Sequence, residues 1–543
     1  MGNVSVWQTV LVIHPFVTTM RAGNSLMPPA PTNASPAFQL GLLDGAILVA
    51  YVVAVLAIGW WAARRGKQTT DDYFLAGRSI PWLITTASFL ATVISALTFV
   101  GTPAEGYKAD FRFFFSNIGN FAATIFVAFA FLPVFQRAGV TSIYEAVAAR
   151  FGSSVRTACS GYFLLTRALA STVRIVAIAK VLEVVTGGSL SYNWCVFIVV
   201  AIILGYTTMG GGRAIAWTDL LQFTLLITGA VAALIYITNH VPNGFSGIIE
   251  AGKNAVKPDG TVYNKFNFLD VLQPETFGTL LLLSVWGFFQ STAAYGTDQD
   301  MVQRLLACND HKKARWSLIL SGLFSFPITF LFLFIGVALY AYAQSHPDFV
   351  AGMTNADHVF PRFILTEMPA GLRGLLLAAV ASAAMGSSDS ALASLATAFT
   401  MDFYKRFWGK HSSEERAVWI SKLSFFGFGV LFLIFAVLLH ELDNVLWLAF
   451  RVVAFTYGPL LGVFAVAILT KWKVPARRIL ALMFTITIVS FSLAMIAWWR
   501  VSQGATSGFW HSLHAKYWQF YIIAGALLVP LGAWFLKERE PAR

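Results

Sequence analysis

Long apolar runs recur from residue 43 to residue 536, separated by short polar connections, and this recurrence leaves few folds open. The first run, "LDGAILVAYVVAVLAIGWWAA", is typical. Wound as a helix, about 20 apolar residues match the hydrocarbon thickness of a bilayer. Backbone amides in that layer must pair within the segment itself, so the expected class is an all-α integral membrane protein. Thirteen spans are expected, at 43–64, 80–107, 112–136, 157–187, 192–211, 214–238, 275–304, 315–343, 371–404, 417–439, 443–470, 477–499 and 517–536. Of 543 residues, 57% are hydrophobic and only 12% charged, too few charges for a soluble chain of this length. The net charge of +12 falls in short loops between spans, so it reads as membrane topology and no nucleic-acid partner is expected. Cys159, Cys195 and Cys308 are scattered and show neither a disulfide framework nor zinc spacing. The chain lacks P-loop, GxSxG and HExxH motifs, so neither ATP-driven transport nor hydrolase chemistry is expected, and the protein reads as no enzyme.

Alternate loops are basic: "ARRGKQ", "NDHKKAR", "DFYKRFWGK", "TKWKVPARR" and "LKEREPAR". The intervening ones are poor in Lys and Arg, which predicts an amino terminus outside and a carboxyl terminus in the cytoplasm of a cell whose inner membrane holds the chain. Residues 1–40, with "MPPAPTNASPA", read as a flexible lead, 41–79 as a first peripheral helix and cytoplasmic loop, 241–274 as an extracellular loop and 471–543 as peripheral helices and tail.

Two spans carry helix-breaking residues. Gly101 and Pro103 interrupt the span at 80–107, and Gly287 and Gly296 the span at 275–304. The two lie five spans apart, so they open blocks 80–240 and 275–470 of opposite orientation. Paired broken spans point to a transporter site near the membrane midplane, where freed backbone carbonyls can coordinate a cation.

From "DDYFLAGRSIPW" through "TSIYEAVAARFG", "YTTMGGGRAIAWTDLLQ", "DQDMVQRLLA", "SSDSALASLATAFTMDFYKR" and "YGPLLGVF", the chain resembles the sodium:solute symporters, carriers of sugars, proline, sialic acid, monocarboxylates and vitamins. The resemblance implies a leucine-transporter-like fold of two inverted five-helix repeats, with Na+ as coupling ion and a small organic solute as cargo. Its other partner would be membrane lipid, and a monomer is expected. Ala384, Ser387 and Ser388 fall at i, i+3 and i+4 on one helical face. In the family the matching positions form the sodium site with backbone oxygens of the broken first core helix, here those of Ala91 and Ile94. Asp219 and Ser390 match groups that serve a second ion, although Ala391 stands at its next hydroxyl position. Asp219 alternatively caps a helix or pairs with Arg213. Asp389 is expected to make a local hydrogen bond or ion pair.

Arg167 lies ten residues past Thr157, about 15 Å deep, where an arginine is a functional candidate by default, and Arg174 is two turns further on the same face. An arginine in the matching helix of the sialic acid carriers holds the substrate carboxylate, which implies that role for Arg167. The other reading is a structural ion pair with Asp298 or Glu105. Ser95 and Thr98 match substrate-facing positions of the family, and Gln290, Ser291 and Tyr295 surround the second break. The expected function is sodium-coupled import of a small organic solute, an organic anion of the monocarboxylate or sialic-acid kind. A neutral sugar or polyol is the alternative, and a sodium-sensing receptor the rival from another class.

Overall fold

The computed structural model describes residues 41–66, 69–186, 189–257, 260–266, 274–353, 355–439, 445–503 and 519–538, with isolated positions at 508 and 513. The expected lead at 1–40 lies outside them. The described chain is almost wholly helical. Its long helices are α1 (Leu42–Ala63), α2 (Trp82–Val93), α3 (Ala96–Lys108), α4 (Ser116–Ala130), α5 (Ser153–Val185) and α6 (Tyr192–His240). After α7 (Gly244–Lys253) and a small antiparallel pair, β1 (Ala255–Val256) and β2 (Val262–Tyr263), come α8 (Pro274–Thr297), α9 (Gln299–Leu306), α10 (His311–Ser345) and α11 (Leu372–Ala398). The last four are α12 (Glu414–Leu439), α13 (Val445–Leu469), α14 (Ala476–Ser502) and α15 (Phe520–Leu536). Among the described residues eight helical stretches are long and apolar enough to cross a membrane, or nine with the bent pair α2–α3. One of them, α6, has 49 residues, about 73 Å at ~1.5 Å each, enough for two crossings. It is broken at Gly211, whose φ of 54° and ψ of −146° lie outside the helical region, where a Cβ would stand 2.2 Å from the Tyr73 carbonyl oxygen. Its two arms are the spans expected at 192–211 and 214–238.

The two breaks are real but fall elsewhere than the glycines and proline suggest. The first is at Ile94 (φ −86°, ψ 87°) and Ser95, where the helical segments on either side bend by 59°. The second is at Asp298 (φ −97°, ψ 120°), whose side chain caps α9 by accepting from the Asp300 amide at 2.9 Å. Gly101 and Pro103 sit inside α3, and Gly287 and Gly296 inside α8. Several glycines here serve close packing. A Cβ on Gly106 would stand 2.2 Å from the Leu333 carbonyl oxygen, and one on Gly336 2.1 Å from that of Pro103, so α3 and α10 touch backbone to backbone. Gly119 and Gly287 do the same for α4 and α8, with 1.8 Å to Ser284 O and 2.3 Å to Ser116 O.

At the centre stands α11. Of its most apolar stretch 89% is buried inside the protein, against 17% for α14, so α11 is the core helix and α14 faces lipid. α1 runs alongside α11 in the same direction. Buried Asp44 accepts from the Gly371 and Gly374 amides at 2.7 and 2.9 Å, and Tyr51 reaches Met385. One end of the bundle carries α7 and the β1–β2 pair and is called the loop end. The other carries most of the Lys and Arg and is called the basic end; there Arg64 and Arg65 lie over the rings of Trp60 and Trp61.

Candidate functional site

The site is built from α11 upward. Ala384, Ser387 and Ser388 are all buried. Ser388 Oγ donates to Ala384 O at 2.8 Å, and Ser387 Oγ to Ala383 O and Ala384 O at 3.2 Å each. A hydroxyl whose proton is spent this way keeps its lone pairs for a cation. The break in α2–α3 supplies more oxygen. Regular helix would close Ala91 O with the Ser95 amide and Ile94 O with the Thr98 amide. Instead the Ser95 amide donates to Val93 O at 3.2 Å and the Thr98 amide to Ser95 O at 2.9 Å. Both carbonyls that the sequence analysis named thus lose their helical partners. α2 and α11 pack together, so hydroxyl and carbonyl oxygens of neutral charge come from two elements, a donor set suited to a hard monovalent cation.

Asp219 and Ser390 also come together, through residues the sequence analysis did not single out. Asp219 Oδ2 accepts from Ser88 Oγ at 2.5 Å and from Arg304 Nη2 at 3.1 Å. Arg304 Nη1 holds Asp300 Oδ1 at 2.7 Å, and Ser390 Oγ donates to Asp300 Oδ2 at 3.3 Å. Arg213 binds Asp72 instead, at 3.1 Å, so it is not the partner of Asp219. Asp389 accepts from the Ser390 amide, the local hydrogen bond expected of it, and from Tyr206 Oη on α6.

Of the two readings of Arg167, the structure has the ion pair. Arg167 is 4% exposed and pairs with Asp298 at 3.2 Å and with Asp300, while Tyr457 Oη also donates to Asp298. Glu105 pairs with Lys108 at 2.7 Å and takes no part. The chain Asp219–Arg304–Asp300–Arg167–Asp298 therefore joins α6, α9 and α5 in the basic half of the bundle. Every residue of α9 is buried. The local signal for it was the Asp300–Arg304 pair at i, i+4 inside "DQDMVQR"; the partners on α5 and α6 lie 133 and 85 residues away in sequence.

Arg174 is different. Its Nη1 donates to Ser387 O at 3.3 Å, its Nε is buried without a partner, and no carboxylate among the described residues pairs with it. Ser95 is 6% exposed at the first break. Tyr295 lies three residues before the second break, donates to Asn120 Oδ1 at 2.8 Å and packs on Phe89 at 5.0 Å. Gln290 and Ser291 lie further back in α8, and Gln290 Oε1 is buried without a partner.

Two helices broken within the span, packed around a buried central helix with a serine face, are the architecture of the leucine-transporter-like carriers. The sodium:solute symporter family model matches residues 73–505, and the chain belongs to that family. It is 30% identical over 435 residues to a sodium/sialic acid symporter of Proteus mirabilis, covering 80% of this chain and 86% of that one. With the sodium-coupled monocarboxylate transporter 2 of Mus musculus it shares 31% over 418 residues, covering 75% and 65%. A solved Na+-coupled sialic acid symporter, described as substrate-bound and outward-open, superposes with a TM-score of 0.77 at 27% identity, covering 91% of this chain and 97% of the other. The protein is a multi-pass, sodium-coupled symporter.

Proposed function

We propose that this symporter imports a small organic anion with sodium, and that Arg174 receives the carboxylate. The observation that carries the reading is the state of the two arginines on α5. Arg167 is held by two carboxylates, whereas the Arg174 fork is bonded only to a carbonyl of the sodium-site helix. A half-buried guanidinium with no carboxylate partner is stabilised by an incoming carboxylate. Its contact with Ser387 O would place the anion beside the sodium, so each ligand favours binding of the other. Ser95, Thr98, Gln290, Ser291 and Tyr295 would line the rest of the site. The relatives named for sialic acid and monocarboxylates agree with an anionic cargo. The basic end is taken as cytoplasmic, which places the amino-terminal side of α1 outside the inner membrane.

Thermal stability of the purified protein tests this, with sialic acid, pyruvate and glucose, each with and without sodium. The acids should stabilise only with sodium. Arg174→Gln should weaken that binding by ~2 kcal/mol or more, about thirty-fold. Arg167→Gln should instead lower folded yield, because it strands buried Asp298 and Asp300. Sodium-dependent stabilisation by glucose and by neither acid would end the anion reading.

A further inference from the structure

At the loop end, the α7–β1–β2 strap crosses the terminus of α3, and one side chain holds the crossing. Lys265 is completely buried and forms no ion pair with any described carboxylate. Its Nζ donates to Tyr107 O at 2.6 Å, Ala109 O at 2.9 Å, Tyr263 Oη at 2.9 Å and Gly106 O at 3.3 Å. It also stands 4.4 Å from the centre of the Tyr340 ring. Lysine is almost never fully buried without a charged partner. Here the partner is a helix end. The last carbonyls of α3 have no intrahelical amides and carry the negative end of the helix dipole, which a cation complements. The aromatic face adds a cation–π contact.

The backbone around Lys265 is fixed as well. Its amide donates to Gly252 O at the end of α7 at 2.8 Å, and its carbonyl accepts from the Phe111 amide at 3.0 Å. The Val256 amide in β1 donates to Tyr340 Oη on α10 at 3.0 Å. Strap, α3 and α10 therefore meet at one ammonium. The opposite end of α3 begins at Ser95, so the helix that carries the break at one end is anchored by Lys265 at the other, about 20 Å away at ~1.5 Å per residue.

We propose that Lys265 is a positioning residue for transport: it clips α3 to the strap and to α10, and so fixes where the broken helix presents its site residues. The inference rests on the symport reading, because a carrier that alternates must move its gating helices. The clip favours the arrangement described here over the alternative, and a contact made in one state alone biases the equilibrium between the two. Its loss lets α3 drift from the sodium and solute positions while the helices still fold.

The experiment compares wild type, Lys265→Met, Lys265→Gln and Lys265→Arg in proteoliposomes. Lys265→Met should raise the half-saturating solute and sodium concentrations about fivefold, the order expected for one net hydrogen bond. The maximal rate should change little. Lys265→Gln, which keeps donors without the charge, should fall between, and Lys265→Arg should restore most of the affinity. Met and Gln variants that lower only folded yield or maximal rate, with both half-saturating concentrations unchanged, would overturn the proposal. If the Met variant does not fold, the Gln and Arg variants decide it. Hydrogen exchange gives a second readout: the 105–111 segment should exchange faster in Lys265→Met than in wild type. If wild type shows no sodium-dependent uptake of any solute, the symport reading fails, and unchanged exchange in the variant would sink the clip separately.

Discussion

The proposed ion chemistry rests on single residues. The serine face of α11 was legible because Ala384, Ser387 and Ser388 obey helical periodicity within one segment, and all three are buried. Ser388→Ala removes one such oxygen with almost no change of volume. The expected result is a several-fold rise in the sodium needed for half-maximal uptake, with folded yield near wild type; an unchanged sodium dependence would remove Ser388 from the site. Arg167 was legible as a midplane arginine, with Asp298 as one candidate partner, but Asp300 was not foreseen. Its carboxylates sit on a helix more than 130 residues later, and nothing in local sequence distinguishes a fork held by the protein from one left open. Arg174, on the same face of the same helix, differs only in what tertiary packing brings to it. Lys265 was illegible for the same reason, since in sequence it is one loop lysine among others.

At the scale of elements, the apolar runs announced the helices, with most ends within a few residues. The breaks were misplaced because Gly and Pro mark where a helix can be interrupted, not where it is. Pro103 lies in the third turn of α3 and the helix continues through it. The actual break, at Ile94 and Ser95, contains neither residue type, and the segments on both sides of it pack on α10 and α11. What the glycines do is bring backbones together. Gly106→Ala should clash with the Leu333 carbonyl and cost ~1–3 kcal/mol, read as a lower melting temperature. Gly427→Ala, on the lipid side of α12 with nothing within 4 Å of a new Cβ, should leave melting unchanged or raise it. Equal effects would mean that the α3–α10 crossing is looser than its geometry indicates.

For the whole molecule, the charge bias of the connections assigns the two faces of the membrane. A cysteine at exposed Lys312, at the basic end, should be shielded from an impermeant thiol reagent in intact cells, and one at exposed Ser246, at the loop end, should be labelled. The reverse pattern would invert inside and outside. Seen from the membrane, the alternating row of Asp219, Arg304, Asp300, Arg167 and Asp298 has an electrical meaning. A cell keeps its sodium battery charged only if each carrier is an insulator whenever it is not turning over. In that row every carboxylate is already bound to a guanidinium, which denies a stray ion a vacant countercharge to step onto as it crosses the basic half. Cutting the row at Arg304→Gln should let sodium current pass without solute in voltage-clamped membranes, while the intact protein stays silent: the salt bridges that tie α9 to α5 and α6 would also keep the gradient from short-circuiting.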